Sequence, residues 1–185
     1  MHMDLTGQFL IAMPSLEDPH FRKSVAYICA HNEEGAIGIV INKPLEIGLK
    51  TMLSQLNIET NNPKVCKQKV FYGGPVCSDH GFVLHRPSSH WESTMSVHQN
   101  VGVSTSRDIL KAISLGTGPE ESLVALGYAG WEAGQLEDEI LQNAWLSGPA
   151  DLNIAFRTPI EERWTFAALR LGVNLSQMST EIGHG

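Results

Sequence analysis

Short apolar runs alternate along this chain with polar segments that carry turn-forming residues. Residues 7–13 are apolar and stop at Pro14, which cannot continue the hydrogen bonding of a strand, so they predict a strand. Residues 24–30 and 36–42 are two more apolar runs, and the polar link between them ends in Gly35, which can adopt a positive φ. This order predicts an antiparallel hairpin. Because both runs are apolar at nearly every position, we expect each strand to be covered on both faces.

Two segments carry apolar residues at the spacing of a helix. Residues 49–56 place leucine or methionine at i, i+3, i+4 and i+7, which predicts a helix that ends near Asn57. A second helix is predicted over residues 135–145, with its apolar positions at Leu136, Ile140, Leu141 and Trp145. The acidic residues 137–139 fall in its first turn, where the helix dipole favours carboxylates. They therefore indicate helix stabilisation rather than a metal site.

Two further helices are indicated by the residues at their ends. Thr105, with Asp108 three residues later, can cap a helix that Gly116 ends. Residues 158–161 read Thr-Pro-Ile-Glu and supply the N-cap, N1 and N3 residues of another helix, which Gly172 ends.

The remaining segments complete the predicted fold. Residues 60–68 are polar and contain Asn-Asn-Pro, so we expect a mobile loop there. Strands and helices are mixed without regular alternation, which predicts an α+β fold of mostly antiparallel strands curled into a pseudo-barrel with about four flanking helices. We expect one domain over residues 1–185, whose ends at 1–6 and 176–185 fray or dock. Further short strands are predicted at residues 69–72, 81–85, 94–97, 100–103, 122–128 and 151–156.

Charge and composition restrict the function. The chain has 185 residues, 42% of them hydrophobic, and 13 Lys and Arg against 20 Asp and Glu leave a formal charge of −7. This charge repels phosphate backbones, so we expect no direct contact with nucleic acid. No apolar stretch is long enough to predict a membrane helix. The three cysteines are an odd number without a C-x-x-C motif, and no signal-like segment opens the chain, which together predict a cytoplasmic location.

A candidate ligand site comes from three short segments that place basic, amide or glycine residues at strand ends. Arginine grips carboxylate or phosphate groups, and adjacent glycines can turn their N–H groups toward an anion. We therefore expect a pocket for a small anionic ligand or an acidic segment of a protein partner; the alternative is a tight turn beside solvated charges. The residues are Arg22, Ser24, Asn42, Lys43, Gly73 and Gly74. Trp131 and Gln135 could flank a ligand, although such a tryptophan more often belongs to the core or covers it.

Catalytic motifs are not evident. The chain has no Walker A loop, nucleophile elbow or dinucleotide fingerprint, and His80, His85 and His90 are spaced by five, which suits neither a helix face nor a strand face. We expect neither a metal nor a cofactor. His85 ends a predicted strand and could act as an acid, a base or a structural contact.

Several segments together resemble one known family. The runs FRKSVAYICAHNEEGAIGIVINKP, VFYGGPV, GFVLH, GYAGWEAGQLEDEI and NAWL, followed by RW and GHG, are similar to the AlgH/YqgE family of bacterial proteins, over about residues 7–184. The resemblance implies a cytoplasmic α+β domain with a pseudo-barrel, and the family name implies a transcriptional regulator. It assigns no catalytic residues. Because the chain is acidic and has no helix-turn-helix pattern, we expect any regulation to be indirect.

Two hypotheses follow for the function. The preferred one is a regulatory or binding protein that holds a small anion or an acidic partner through the residues named above, and it requires that these residues converge. The alternative is an enzyme, such as a hydrolase, that uses His85 or a carboxylate such as Glu137 as a base. That alternative requires a base within about 3 Å of a nucleophile, inside a cleft. The oligomeric state stays open.

Overall fold

The computed structural model of the protein describes residues 3–178. Four helices in this part of the chain have seven or more residues, and together with the strands they confirm the predicted α+β class. The helices are α1 (Leu49–Gln55), α2 (Pro63–Cys66), α3 (Arg107–Leu115), α4 (Gln135–Leu141), α5 (Leu152–Phe156) and α6 (Arg163–Arg170), with a 3-10 turn at Ile160–Glu162. The strands are β1 (Gln8–Ala12), β2 (Val25–Asn32), β3 (Gly35–Val40), β4 (Pro44–Gly48), β5 (Lys69–Tyr72), β6 (Val76–Arg86), β7 (Thr94–His98), β8 (Val101–Ser104), β9 (Glu121–Glu132) and β10 (Trp145–Pro149).

The strands form one mixed sheet that curls into a half-barrel. Eight of them follow the order β10-β1-β2-β3-β9-β6-β8-β7, and every neighbouring pair on this path is antiparallel. β5 pairs parallel with β9 and antiparallel with β4. The predicted mostly antiparallel, barrel-like sheet is therefore confirmed. The described residues contain no helix with the length and apolar character needed to cross a membrane.

Apolar side chains cover both faces of this sheet. The larger cluster lies on one face, where Tyr27, Ile39 and Leu84 pack together beneath α5 and α6. On the other face, α1 and α3 cover a second cluster and α4 covers a third. Burying each large aliphatic side chain contributes about 1.5–3 kcal/mol, so this two-sided coverage accounts for the continuous apolar runs in the sequence.

The predicted hairpin is confirmed, with a shorter turn than expected. β2 and β3 extend to Asn32 and Gly35, so only two residues connect them. Gly35 has a φ of +139°, and a Cβ there would lie 2.2 Å from the carbonyl oxygen of Trp131 on β9. The backbone of β9 therefore requires a glycine at this position.

Two predictions near the C-terminal third are wrong. Residues 151–156 were expected as a strand, but they form α5, because the side chain of Asp151 accepts a hydrogen bond from Asn153 N at 3.0 Å and caps a helix. The helix predicted over 135–145 ends at Leu141, after which Asn143 adopts a φ of +61°. Trp145 consequently begins β10 and pairs with Ala12 of β1.

The segment expected as a mobile loop, residues 60–68, contains the short helix α2. The side chain of Asn62 accepts a hydrogen bond from Lys64 N at 3.0 Å and caps the short helix α2. Thr60 is buried, and its hydroxyl donates to the carbonyl oxygen of Ser114 at 2.7 Å. The Asn-Asn-Pro sequence is thus a helix start, with Pro63 at the first helical position.

Smaller differences concern the ends of elements. Ser106, rather than Thr105, is the N-cap of α3, whereas Gly116 ends that helix in the left-handed conformation as predicted. Pro159, predicted at N1, is instead the N-cap of the 3-10 turn Ile160–Glu162 that precedes α6, so Thr158 is not the N-cap. Leu56 lies beyond α1 and is exposed. Of the ends expected to fray, residues 1–2 and 179–185 lie outside the described residues, while Leu5 is buried.

Candidate functional site

Three cationic side chains meet where β2 begins and the chain leaves β3. Arg22 and Lys23 lie just before β2, and Lys43 lies just after β3; we call these three residues the basic corner. Pairing of Ala26 with Val40 brings these two chain segments together. The ammonium group of Lys43 donates a hydrogen bond to the carbonyl oxygen of Arg22. The corner is therefore assembled by the hairpin itself.

Asn42 holds the backbone of the corner in place. Its side-chain nitrogen donates to the carbonyl oxygen of Lys23 at 2.8 Å, and its side-chain oxygen accepts from Val25 N at 2.8 Å. Lys23 has a φ of +57°, a conformation that a non-glycine residue adopts only when its surroundings impose it. Because its amide nitrogen and its amide oxygen both bond to backbone groups, Asn42 organises the loop.

The electrostatics of the basic corner favour an anion. Burial lowers the pKa of Lys43, and the positive charges of Lys23 and Arg22 lower it further. In the described part of the chain, none of the ion pairs includes a residue of the basic corner. Lys23 instead places its ammonium group 5.8 Å from the ring centroid of Trp164, a cation–π distance. The corner thus presents several N–H donors and a local excess of positive charge.

The other predicted ligand residues of this region have structural roles. Ser24 is fully buried, and its hydroxyl donates to the carbonyl oxygen of Phe21 at 2.7 Å. Gly73 lies next to the corner, because Tyr72 N donates to the carbonyl oxygen of Lys43 at 2.7 Å. However, Gly73 N donates to the carbonyl oxygen of Leu126 at 2.8 Å, so it cannot serve an anion.

Gly73 and Gly74 allow the turn after β5 to press against β9. A Cβ on Gly73 would lie 2.3 Å from the carbonyl oxygen of Gly127, and one on Gly74 would lie 2.1 Å from the carbonyl carbon of Tyr128. Gly74 also has a φ of +155°. The requirement for glycine at both positions therefore comes from close backbone packing.

An aromatic cluster anchors the loop that carries the basic corner. The ring of Phe21 stacks on Trp131 at a centroid distance of 6.0 Å and meets the edge of Trp145 at 5.7 Å. The indole nitrogens of both tryptophans donate to Glu139 Oε1, at 3.3 Å from Trp131 and 2.9 Å from Trp145. Gln135 donates to the other oxygen of Glu139 at 2.8 Å. Trp131 and Gln135 were predicted to flank a ligand. In the structure, Trp131 packs against Phe21, and Gln135 bonds to the glutamate that holds both tryptophans.

One buried residue beside the corner was missed by the sequence reasoning. Arg163 on α6 is buried, and it donates to the carbonyl oxygen of Ile41 at 2.6 Å and lies 5.1 Å over the ring of Phe71. Burial lowers the pKa of Arg163 to about 10, although the charge of Glu161 acts in the opposite direction. The sequence does contain a feature that could have identified Arg163, because it is a lone arginine on the apolar face of a helix, four residues before the buried Ala167.

His20 and Tyr72 form the other side of the corner. His20 Nδ1 lies 2.8 Å from the hydroxyl oxygen of Tyr72, and the two rings stack at 6.2 Å. Burial raises the pKa of Tyr72, and the negative charge of Asp18 raises it further. Asp18 also accepts a hydrogen bond from His20 N at 2.8 Å.

His85, the candidate base, belongs to a buried chain of hydroxyl groups. Its Nδ1 lies 2.8 Å from the carbonyl oxygen of Pro87, and its Nε2 lies 2.7 Å from Ser104 Oγ. Because a carbonyl can only accept, Nδ1 carries the hydrogen and Ser104 donates to Nε2. Burial lowers the pKa of His85, partly offset by the bond to Pro87. The spacing suits a base and a nucleophile, but His85 and Ser104 are both 0% exposed, so a substrate would need an opening to reach them.

Glu137, the alternative base, is held by His31. His31 Nε2 lies 2.6 Å from Glu137 Oε1, and His31 Nδ1 accepts a hydrogen bond from Leu5 N at 3.0 Å. The pair therefore ties α4 to β2 and to the start of the chain. Among residues 3–178, no group of three or more His, Cys, Asp or Glu side chains is placed to hold a metal ion.

Comparisons with known sequences place this architecture among related bacterial proteins. An AlgH-like family model matches residues 9–176. A UPF0301 protein from Thioalkalivibrio sulfidiphilus is 58% identical over 181 residues, which are 98% of this chain and 97% of that protein. A UPF0301 protein from Photobacterium profundum is 50% identical over 186 residues, covering 98% of this chain and 100% of that protein.

Solved structures show the same fold. The solution structure of the AlgH protein from Pseudomonas aeruginosa matches with a TM-score of 0.80 at 49% identity, over 97% of this chain and 95% of that one. A crystal structure of a protein from Corynebacterium diphtheriae matches with a TM-score of 0.77 at 19% identity, over 96% of this chain and 93% of that one, which shows a shared fold alone.

Proposed function

We propose that this chain, which belongs to the AlgH-like family, is a cytoplasmic regulatory protein that binds an oxyanion at its basic corner and does not contact DNA directly. The oxyanion is a carboxylate or phosphate group, carried either by a small molecule or by an acidic segment of a protein partner. The single observation that carries this proposal is the convergence of three cations without a carboxylate partner among the described residues.

The energetic argument starts from Lys43. Its ammonium group is half-buried and lies near two other positive charges, an arrangement that disfavours its charged form. A bound oxyanion would supply the missing opposite charge and accept hydrogen bonds from Arg22 and both lysines. Charge-assisted bonds of this kind are about twice as strong as neutral ones. Ligand binding would therefore offset the burial and the charge repulsion that disfavour the charged form of Lys43 in the free protein.

The rest of the molecule argues against DNA as the ligand. The formal charge of −7 repels a phosphate backbone at long range, whereas the basic corner is confined to a single site. A single oxyanion contacts only the basic corner. It therefore avoids the repulsion that a long DNA backbone would experience along the rest of the protein surface. Exposed free thiols at Cys66 and Cys77 are in keeping with a reducing compartment such as the cytoplasm.

The test is a titration of the whole ¹⁵N-labelled protein at low ionic strength with two probes, inorganic pyrophosphate and a hexaglutamate peptide. We expect saturable shifts of the backbone amides of residues 20–24, 42 and 43 with at least one probe. The probe that binds more tightly identifies the source of the oxyanion, since pyrophosphate represents a small molecule and hexaglutamate represents an acidic segment.

Matched variants make this test specific. The double substitution Arg22→Gln with Lys23→Gln removes two charges at the corner, and Lys50→Gln with Lys111→Gln removes two charges from exposed positions on α1 and α3. We expect the first pair to weaken binding at least about tenfold, or about 1.4 kcal/mol, and the second pair to leave it within about twofold. Equal losses in both double variants, or no saturable shift at the corner with either probe, would overturn the proposal.

A further inference from the structure

An apolar cavity lies where the half-barrel stays open, away from the basic corner. In the part of the chain that the structure describes, β7 is the last strand of the sheet and pairs only with β8, so a seam separates it from β2 and β3. The seam contains a cavity of about 330 Å³. Cys29 and Ile39 from one side and Val103 from the other line its inner part, and all three also belong to the larger apolar cluster.

The mouth and one wall of the cavity are suited to aromatic rings. Ile37 and Met95 line the cavity from opposite strands, and each is 41% exposed, which is a large fraction for an apolar side chain. Phe82 and Tyr128 form an edge-to-face pair with a centroid distance of 5.5 Å along another wall. Aromatic ligands gain contact energy from such rings and from the thioether of methionine.

Side-chain hydroxyl groups also line the cavity. Ser93 Oγ and Thr105 Oγ1 lie 2.9 Å apart, so one of their two O–H groups is used between them and the other is left to donate. Thr94, which also lines the cavity, already hydrogen-bonds to Ser104 at 2.8 Å. The cavity thus offers a hydrogen-bond donor from this pair at a largely apolar surface.

No charged side chain is among the described residues that line this cavity. Burial raises the pKa of the Cys29 thiol to about 12, so that group also stays neutral near pH 7. An ionised ligand would lose its hydration here without gaining an opposite charge, which is costly. A neutral ligand meets no such penalty.

We propose that this cavity is a binding site for a small, neutral, aromatic molecule that carries one hydrogen-bond acceptor. The volume corresponds to about ten non-hydrogen atoms, judged from the roughly 30 Å³ that a water molecule occupies in the liquid. The aromatic ring lies against Phe82, Tyr128 and Met95, and the acceptor receives the free O–H of the Ser93–Thr105 pair. This site is separate from the basic corner and requires a different ligand chemistry.

The test uses two probes of equal size and opposite character, neutral acetophenone and anionic benzoate, added to protein with ¹³C-labelled methyl groups. We expect acetophenone to shift the methyl signals of Ile37, Ile39, Met95 and Val103 in a saturable way and to give intermolecular NOEs to them. We expect benzoate to bind at the cavity at least tenfold more weakly. Any benzoate effect at the amides of residues 20–24 reports on the basic corner, so failures of the two proposals can be told apart.

Two tryptophan variants complete the experiment. Met95→Trp fills the mouth from an exposed position, so we expect a folded protein whose affinity for acetophenone falls at least tenfold. Leu141→Trp places the same side chain at a residue that is 79% exposed on α4, and it should leave the affinity unchanged. The proposal is overturned by the absence of NOEs, by benzoate binding as well as acetophenone, or by equal losses in the two variants.

Discussion

Glycine residues beside the basic corner show why residue type alone can suggest the wrong role. Gly73 and Gly74 were predicted to turn their N–H groups toward an anion, yet their lack of a side chain is used to admit the backbone of β9. The proposed oxyanion site therefore depends on the three charged residues of the basic corner, Arg22, Lys23 and Lys43. Of these, Lys23 was not among the ligand residues predicted from the sequence.

The close approach at Gly74 leads to a stability prediction. Gly74→Ala would place a Cβ 2.1 Å from backbone atoms of Tyr128 at a φ of +155°, and neither backbone can move without breaking the sheet. We expect a loss of about 3 kcal/mol in the free energy of unfolding, measured by urea denaturation. Gly134→Ala is the control, because Gly134 also has a positive φ but has no atom within 4 Å. Its loss should be only about 1 kcal/mol, and equal losses would contradict the packing explanation.

His85 leads to a prediction about pH. Burial lowers its pKa below the ordinary value of about 6.5, so the unfolded chain takes up a proton in a range where the folded protein does not. The stability that His85 contributes is therefore present above about pH 6.5 and is lost as the pH falls below that value. We expect the free energy of unfolding to decrease from pH 7.5 to pH 5 more steeply in the unmodified protein than in His85→Gln.

The control for this pH dependence is His90→Gln, at an exposed position. It should retain the slope of the unmodified protein, which can reach about 1.4 kcal/mol per pH unit for a single group. Identical slopes in all three proteins would show that His85 does not titrate differently between the folded and unfolded states.

At the scale of elements, caps decided what periodicity left ambiguous. Residues 151–156 have the apolar content of a short buried strand, and the capping side chain of Asp151 turns them into α5. Asn62 has the same effect on the segment expected to be a loop. Both caps are visible in the sequence, but short apolar runs do not by themselves distinguish a strand from a buried helix.

The cap of α5 can be tested directly. Asp151→Ala removes the acceptor for Asn153 N as well as the ion pair with Arg170 at 3.2 Å, and we expect a loss of about 1 kcal/mol in the free energy of unfolding. Asp151→Asn keeps an acceptor at the cap and loses the charge, and because Arg170 is exposed it should lose far less. If the two variants are equally destabilised in urea denaturation, the ion pair rather than the cap accounts for the effect.

At the scale of the whole molecule, net charge opposes the function that the family name suggests. The long-range field of a chain with a formal charge of −7 repels DNA, and the basic corner is too small to reverse it. We expect no measurable binding of a labelled random DNA duplex by fluorescence anisotropy at 150 mM salt with protein at about 10 µM. Saturable binding with a steep salt dependence would contradict the proposal that regulation proceeds without direct DNA contact.

The sequence by itself determined the fold class, the hairpin, most strands and the sign of the molecular charge. These features depend on local patterns, such as apolar runs bounded by turn residues, and on sums over the chain. Arg22 and Lys43 could also be identified as candidate anion ligands, because their charges do not depend on the fold.

Only the tertiary structure decided which of the candidate residues are available to a ligand. The polar groups of Ser24, Trp131 and Gln135 are occupied by neighbours within eight positions along the chain. Asn42 bonds to Lys23 and Val25, 19 and 17 positions away, and Arg163 reaches Ile41 across 122 positions. The cavity between β3 and β7 likewise joins segments that no local pattern connects. Such contacts arise because closing a sheet brings remote strands together, and no spacing along the chain records that closure.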